Sequence, residues 1–260
     1  MFHSPDEPNL ASPAAEAVAT DHWSASIVDQ DWAAFSADDH AVWDTLYARQ
    51  VALLQGRVIS PFLDGLDLLD LGAPGIPDLA RLNDQLEPRT GWRTVAVPGL
   101  VPDLTFFAML AERIFPVGNF IRRRAQLDYL EEPDCFHDIF GHVPMLAHPG
   151  MAAAMAHMGR VGVAAIAQGH GEMVARLYWH TVEFGLAREH GELRILGAGL
   201  ASSFGEALVS LDDPALDRIR FTAETAIATP YRHDAMQPLY LVADTLDAAV
   251  DALMAVPIAA

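Results

Sequence analysis

The sequence predicts a mainly α-helical protein with a few short β-strands, folded as one domain. Three observations predict it: apolar residues recur at helical spacing in several stretches, strand-like alternation is brief, and 260 residues suit one sizeable buried core. From Ala37 to Leu54, residues Trp43, Leu46, Tyr47, Leu53 and Leu54 fall at roughly helical spacing, with Asp38 and Asp39 near the start, where acidic groups favour the helix dipole. Residues 76–86 repeat the helical period. Trp92 to Val97 alternates weakly and stops before Pro98, which predicts a short strand. Leu104 to Arg113 is a further helical run, and Leu246 to Met254 is the last. Glycines 56, 65, 72 and 75 mark loops between helices and not a linker between domains.

The formal net charge is −19 and the pI about 4.7. Such a surface repels phosphates, so nucleic acid is excluded as a partner. Nine acidic residues, Asp6 to Asp44, precede the first basic residue, Arg49. Residues 1–22, rich in Pro, Ala and acidic groups, are expected to form a disordered tail, with residues 23–260 as the single folded domain. No apolar run is long and unbroken enough to suggest a membrane span: the most apolar, Val143 to Met158, is interrupted by Pro144, His148, Pro149, Gly150 and His157. The first residues lack the pattern of a signal peptide, and the one cysteine, Cys135, fits a reducing compartment, so a cytoplasmic location is expected. All sixteen basic residues are arginine, which excludes Schiff-base and P-loop lysine mechanisms.

The chemistry centres on residues 134–144, Asp-Cys-Phe-His-Asp-Ile-Phe-Gly-His-Val-Pro. His137 and His142 are five residues apart, which in an ideal α-helix leaves their side chains about 140° apart. For both to reach one ion the segment must bend. Gly141 costs helix stability and Pro144 disfavours α geometry at Val143, so a helix ending near Gly141 is expected to let His142 swing toward His137. The best third ligand is Glu183, flanked by Val182, Phe184 and Leu186, where a carboxylate is costly to bury unless it meets a cation. Two imidazoles and a carboxylate suit non-haem Fe(II); zinc is the rival. Asp134 and Asp138 flank the histidines, and either can accept the second N–H of a ligating imidazole. His180, three residues before Glu183, lies on nearly the same α-helical face. Arg122, Arg123 and Arg124 offer guanidinium groups that suit a carboxylate, or pair with the acidic N-terminal stretch.

Residues 137–144 (His-Asp-Ile-Phe-Gly-His-Val-Pro), 178–186 (Tyr-Trp-His-Thr-Val-Glu-Phe-Gly-Leu) and 197–206 (Gly-Ala-Gly-Leu-Ala-Ser-Ser-Phe-Gly-Glu) resemble, in order and spacing, the signature blocks of the pterin-dependent aromatic amino acid hydroxylases. The likeness runs from about Thr90 to Val242 and is greatest to the short bacterial phenylalanine 4-monooxygenases. It implies that family's catalytic-domain fold, and a monooxygenase that uses Fe(II), tetrahydrobiopterin and O2 to convert L-phenylalanine to L-tyrosine. Tryptophan or tyrosine as substrate, and a zinc-dependent hydrolase, are the alternatives.

Residue by residue, the resemblance implies that His137, His142 and Glu183 hold the iron. It puts Phe106 on the face of the pterin, the backbone of Gly99, Leu100 and Val101 along its amide-like edge, and Asp138 and Tyr178 beside it. Arg122 takes the substrate carboxylate, Trp179 walls the substrate ring, and Ser202, Ser203 and Glu206 orient the amino acid or a metal ligand. The family residue at position 180 is usually aromatic, so His180 is a departure. Residues 231–234 and 237–242 resemble the closing segment, with a short strand in the second. The chain stops where the family's tetramerisation extension begins, which implies a monomer.

Overall fold

Ser36 opens the first long helix with a capping box: its hydroxyl accepts from the Asp39 amide while the Asp39 carboxylate accepts from the Ser36 amide. A computed structural model describes residues 20–128, 132–232 and 235–258. The expected tail as far as residue 19, and His233 and Asp234 of the closing segment, lie outside the described residues.

In chain order the elements are α1 (Ala37–Leu54), α2 (Ser60–Leu68), α3 (Leu79–Thr90), β1 (Arg93–Val97), α4 (Asp103–Ala111) and β2 (Ile114–Gly118). A first π-helix (His137–His142) runs into α5 (Val143–Leu146), followed by α6 (Pro149–Ala167) and α7 (Gly171–Tyr178). A second π-helix (Trp179–Glu183) leads to β3 (Leu186–Glu189), β4 (Glu192–Ile195), α8 (Ala198–Ser202) and α9 (Phe204–Asp212). The chain closes with β5 (Asp217–Arg220), α10 (Ala223–Ala228), β6 (Leu239–Ala243) and α11 (Leu246–Met254). The helices expected at 37–54 and 246–254 have those bounds, and the expected strands are β1 and β6.

The strands form two small sheets, β1 parallel to β2, and a four-stranded sheet in the order β4-β3-β6-β5. In the second, β3 and β4 make a hairpin whose two-residue turn is His190-Gly191, both at positive φ (52° and 84°). That is the turn whose twist matches antiparallel strands.

Helix α6 is the central packing element, against α4 on one side and α7 and α11 on others. Gly159 and Gly162 make this possible: a Cβ on Gly159 would stand 2.2 Å from the Ala111 nitrogen, and one on Gly162 would stand 2.3 Å from the Phe107 ring. Contrary to the sequence expectation, this 19-residue helix is long and apolar enough to cross a membrane. It is a core helix in this fold, with 61% of its apolar window buried and His157 Nε2 donating to the Val256 carbonyl, 2.7 Å away.

Candidate metal centre and adjoining recess

The segment expected to break at Gly141 does not break. It winds instead as a π-helix from His137 to His142 and continues directly into α5. In a π-helix the hydrogen bond runs from i to i+5, so side chains five residues apart stand on one face. The wider turn does what a bend was expected to do, and His137 Nε2 and His142 Nε2 come within 3.3 Å. A second π-helix carries Glu183 to the same point. Its Oε1 lies 3.0 Å from His142 Nε2 and its Oε2 3.7 Å from His137 Nε2. Metal–ligand bonds of about 2.0–2.2 Å at right angles place neighbouring donors about 3 Å apart. Among the described residues these three are the His, Cys, Asp and Glu side chains whose ligand atoms converge in this way, all within 4.8 Å of one another.

Two glycines let α8 close over both π-helices. A Cβ on Gly141 would stand 2.9 Å from the Ala198 carbonyl oxygen, and one on Gly197 would stand 2.2 Å from the Glu183 carbonyl oxygen. The approach delivers Ser202 to His137, with Oγ 2.9 Å from Nδ1. Ser202 Oγ spends its one hydrogen on the Ala198 carbonyl at 2.8 Å, so it accepts from His137 Nδ1–H and leaves the Nε2 lone pair toward the triad. A serine therefore orients this imidazole, and neither flanking aspartate does. Asp134 accepts instead from the His137 backbone amide at 3.1 Å, and Asp138 from the Gly118 amide at 2.8 Å.

The electrostatics suit a cation. Burial pushes the Glu183 carboxyl up, but the charge and hydrogen bond of His142, with His137 beside it, outweigh this and bring it to about 2. Burial lowers His137 to about 4, with His142 adding to the effect and Glu183 opposing it. At neutral pH the centre thus offers neutral imidazole and ionised carboxylate, the forms that bind metals.

Beside the centre is a recess lined by Val97, Gly99, Leu100, Val101, Gly118 and Asp138, with Pro116 and Pro133. Four of the residues expected at the pterin therefore line one space. Burial raises Asp138 to about 7, and its Oδ1 is buried with no hydrogen-bond partner. That unsatisfied oxygen, in a recess that Gly99, Leu100 and Val101 also line, fits a flat heterocycle with N–H donors. Glu132 steadies the loop by accepting from the Leu100 amide at 3.3 Å. Phe106 and Tyr178 are placed differently from the expectation. Phe106 is 1% exposed, edge-on to Phe107, Phe115 and Tyr178, and does not line the recess. Tyr178 is equally buried, and the cluster backs His142, whose ring lies 4.9 Å from Phe115. Phe106 on α4 and Tyr178 at the end of α7 both turn their rings into the core, edge-on to each other.

Of the residues expected at the substrate, Trp179 stacks between Phe184 and Tyr231, with centroids 4.7 and 4.4 Å away. Arg122 spends its fork on Asp134, Nε and Nη2 reaching the two oxygens at 2.8 and 2.9 Å. The pair is buried, and although burial alone would raise Asp134, Arg122 holds its carboxyl below the usual range. Arg124 pairs with Asp38 on the surface. Ser203 caps α9, accepting from the Glu206 amide, and Glu206 turns away from the metal centre to accept from the Gln237 amide and Tyr240 hydroxyl at 3.0 and 3.1 Å. Neither touches a ligand residue. His180 is off the ligand face, because a π-turn moves residues three apart to different sides; its Nε2 meets the Thr229 carbonyl.

A family model described as "Biopterin-dependent aromatic amino acid hydroxylase" matches residues 17–257. The phenylalanine-4-hydroxylase of Caulobacter vibrioides is 51% identical over 219 residues, covering 84% of this chain and 74% of that protein. The crystal structure of Chromobacterium violaceum phenylalanine hydroxylase with bound iron(III) and oxidised cofactor 7,8-dihydrobiopterin superposes with a TM-score of 0.85 at 46% identity, covering 88% of this chain and 84% of that one. The iron- and phenylalanine-bound structure of the same enzyme gives 0.84 at 44% identity, covering 89% and 84%.

Proposed function

The chain belongs to the biopterin-dependent aromatic amino acid hydroxylases, and on that premise we propose that it hydroxylates L-phenylalanine to L-tyrosine with O2. The observation that carries the proposal is the convergence of His137, His142 and Glu183 beside the recess that Asp138 lines. The three would hold Fe(II), and the recess would hold tetrahydrobiopterin; together, when bound, these supply the activation of O2.

The protein's own part is to hold, orient and desolvate. Glu183 stays ionised and His137 stays neutral at physiological pH, so neither has to release a proton to bind. Ser202 fixes the His137 tautomer. Asp138 is poised to accept from a pterin N–H with its free oxygen, while Gly99, Leu100 and Val101 supply backbone groups along the heterocycle edge. The Phe106, Phe107, Phe115 and Tyr178 cluster keeps water from the rear of His142. Trp179 walls the substrate ring. Arg122, locked by Asp134, presents its remaining N–H groups to the amino acid carboxylate, while Ser203 caps α9 and Glu206 ties that helix to Gln237 and Tyr240. The one cysteine, buried in the fold, fits a reducing compartment and so supports a cytoplasmic location.

Anaerobic reconstitution with Fe(II), followed by tetrahydrobiopterin, phenylalanine and O2, tests the reading. Tyrosine formed only when both iron and pterin are present is the expected result, with tryptophan, tyrosine and a zinc-loaded sample run beside it. Product from tryptophan or tyrosine at higher kcat/KM than from phenylalanine reassigns the substrate, and turnover with zinc and no pterin overturns the reaction.

A further inference from the structure

Residues 227–231, the end of α10 and the chain after it, are tied to α7 and the second π-helix by three successive contacts. Arg176 Nη1 donates to the Ile227 carbonyl at 3.2 Å, His180 Nε2 meets the Thr229 carbonyl at 3.0 Å, and Tyr231 stacks on Trp179 with planes 23° apart. Of the side chains that make these contacts, His180 is the least exposed, at 2%. A carbonyl oxygen only accepts, so His180 Nε2 carries the proton and donates. Burying an imidazole is costly unless it is hydrogen-bonded, and an apolar ring would fill the same space without that cost. The histidine's distinguishing contribution is therefore the bond to Thr229. Between Thr229 and Tyr231 stands Pro230, whose fixed φ leaves little slack. Where the Thr229 carbonyl is held, the Tyr231 ring is held too.

We propose that His180 is a positioning residue for the aromatic substrate. Through Thr229 and Pro230 it fixes Tyr231 against Trp179 in the Phe184–Trp179–Tyr231 stack, and so sets the width left for the substrate ring. The identity of that ring rests on the hydroxylase reading; the tie does not.

The test compares wild type, His180→Phe and His180→Gln as full-length, iron-reconstituted proteins, with hydrogen exchange of the 227–231 segment measured on the same samples. His180→Phe is expected to raise KM for phenylalanine about fivefold, the scale of one neutral hydrogen bond, while kcat and the pterin KM stay within about twofold. Its tryptophan-to-phenylalanine product ratio rises and the Tyr231 amide exchanges faster. His180→Gln, which keeps a donor, returns toward wild type in each. Unchanged KM and exchange in His180→Phe overturn the proposal, as does an equal loss of kcat, iron content and global stability in both variants. Should wild type make no tyrosine, the hydroxylase reading fails alone, and exchange still decides the tie: faster in His180→Phe than in His180→Gln sustains it, equal rates overturn it.

Discussion

Replacing Ser202 with alanine isolates one hydroxyl at the metal centre. In the native arrangement Oγ sits 2.9 Å from His137 Nδ1 and 2.8 Å from the Ala198 carbonyl, and the direction of the second bond forces the first to run from the ring to the serine. Without Oγ, the Nδ1–H has no acceptor, and the competing tautomer, with the proton on Nε2, no longer loses a bond. Leaving a buried donor unsatisfied costs about 1–3 kcal/mol; the His137 side chain is 16% exposed, so water recovers part of it and the lower half of that range applies. Loss of a partner that orients a metal ligand lowers metal affinity about 10–100-fold, which corresponds to about 1.4–2.8 kcal/mol. The two routes agree on roughly a tenfold to thirtyfold loss. Competition of Co(II) or Fe(II) against a chelator of known affinity measures it, with Ser202→Thr as the control that keeps a hydroxyl. A Ser202→Ala protein that binds metal within twofold of wild type would refute the assignment of the tautomer.

Other consequences are open to direct measurement. Asp134→Asn strands the buried Arg122 guanidinium and should destabilise the fold by about 3–5 kcal/mol in urea titrations. Because the Asp134 carboxyl is held below its ordinary value of 3.8, its contribution is fully present above that pH and is lost as pH falls through the lowered folded value; the wild-type protein should lose this increment on acidification and Asp134→Asn should not. A proton competes for His137 only as pH drops toward about 4, so a Co(II) titration should show the His137-dependent loss of metal affinity in that range. Gly159→Ala places a methyl group 2.2 Å from backbone on α4, and the overpacking, about 1–3 kcal/mol, should exceed the gain of about 1 kcal/mol in helix propensity, giving a lower Tm.

Much of this fold was legible because its signals are local. Ser36 and Asp39 cap α1, Asp78 accepts from the first amides of α3, and Thr245 caps α11, so these helices begin where side-chain chemistry starts them. The ligand set was legible from residue type and from the resemblance. The wide helical turns were not, because a π-helix has no distinctive composition: the five-residue spacing of His137 and His142 looked like a reason for a bend. The orientation of Phe106 was equally hidden, since an adjacent pair of phenylalanines does not say which faces a recess and which a neighbouring helix. Ser202 was visible as a hydroxyl in a signature block, yet its contact with His137 spans 65 residues of sequence and depends on Gly141 and Gly197 admitting α8. The amide of Gly118 on Asp138 carried no sequence signal at all.

The paired π-helices make the centre sensitive to the length of the chain more than to its composition. Ile139 and Phe140 are fully buried, so an exchange there costs packing but leaves His137 and His142 on their common face, whereas removing one residue between them would let the segment relax to an ordinary α-helix. That deletion would produce a His-x-x-x-His pair, four apart, on one α-helical face. The shortened helix would still own two imidazoles in line, yet the histidine segment or α5, joined directly to it, would be rotated and drawn back by one position relative to α8 and Glu183. A conservative apolar exchange at Ile139 would therefore leave the ligand geometry in place, whereas deletion of any one residue between the histidines would not.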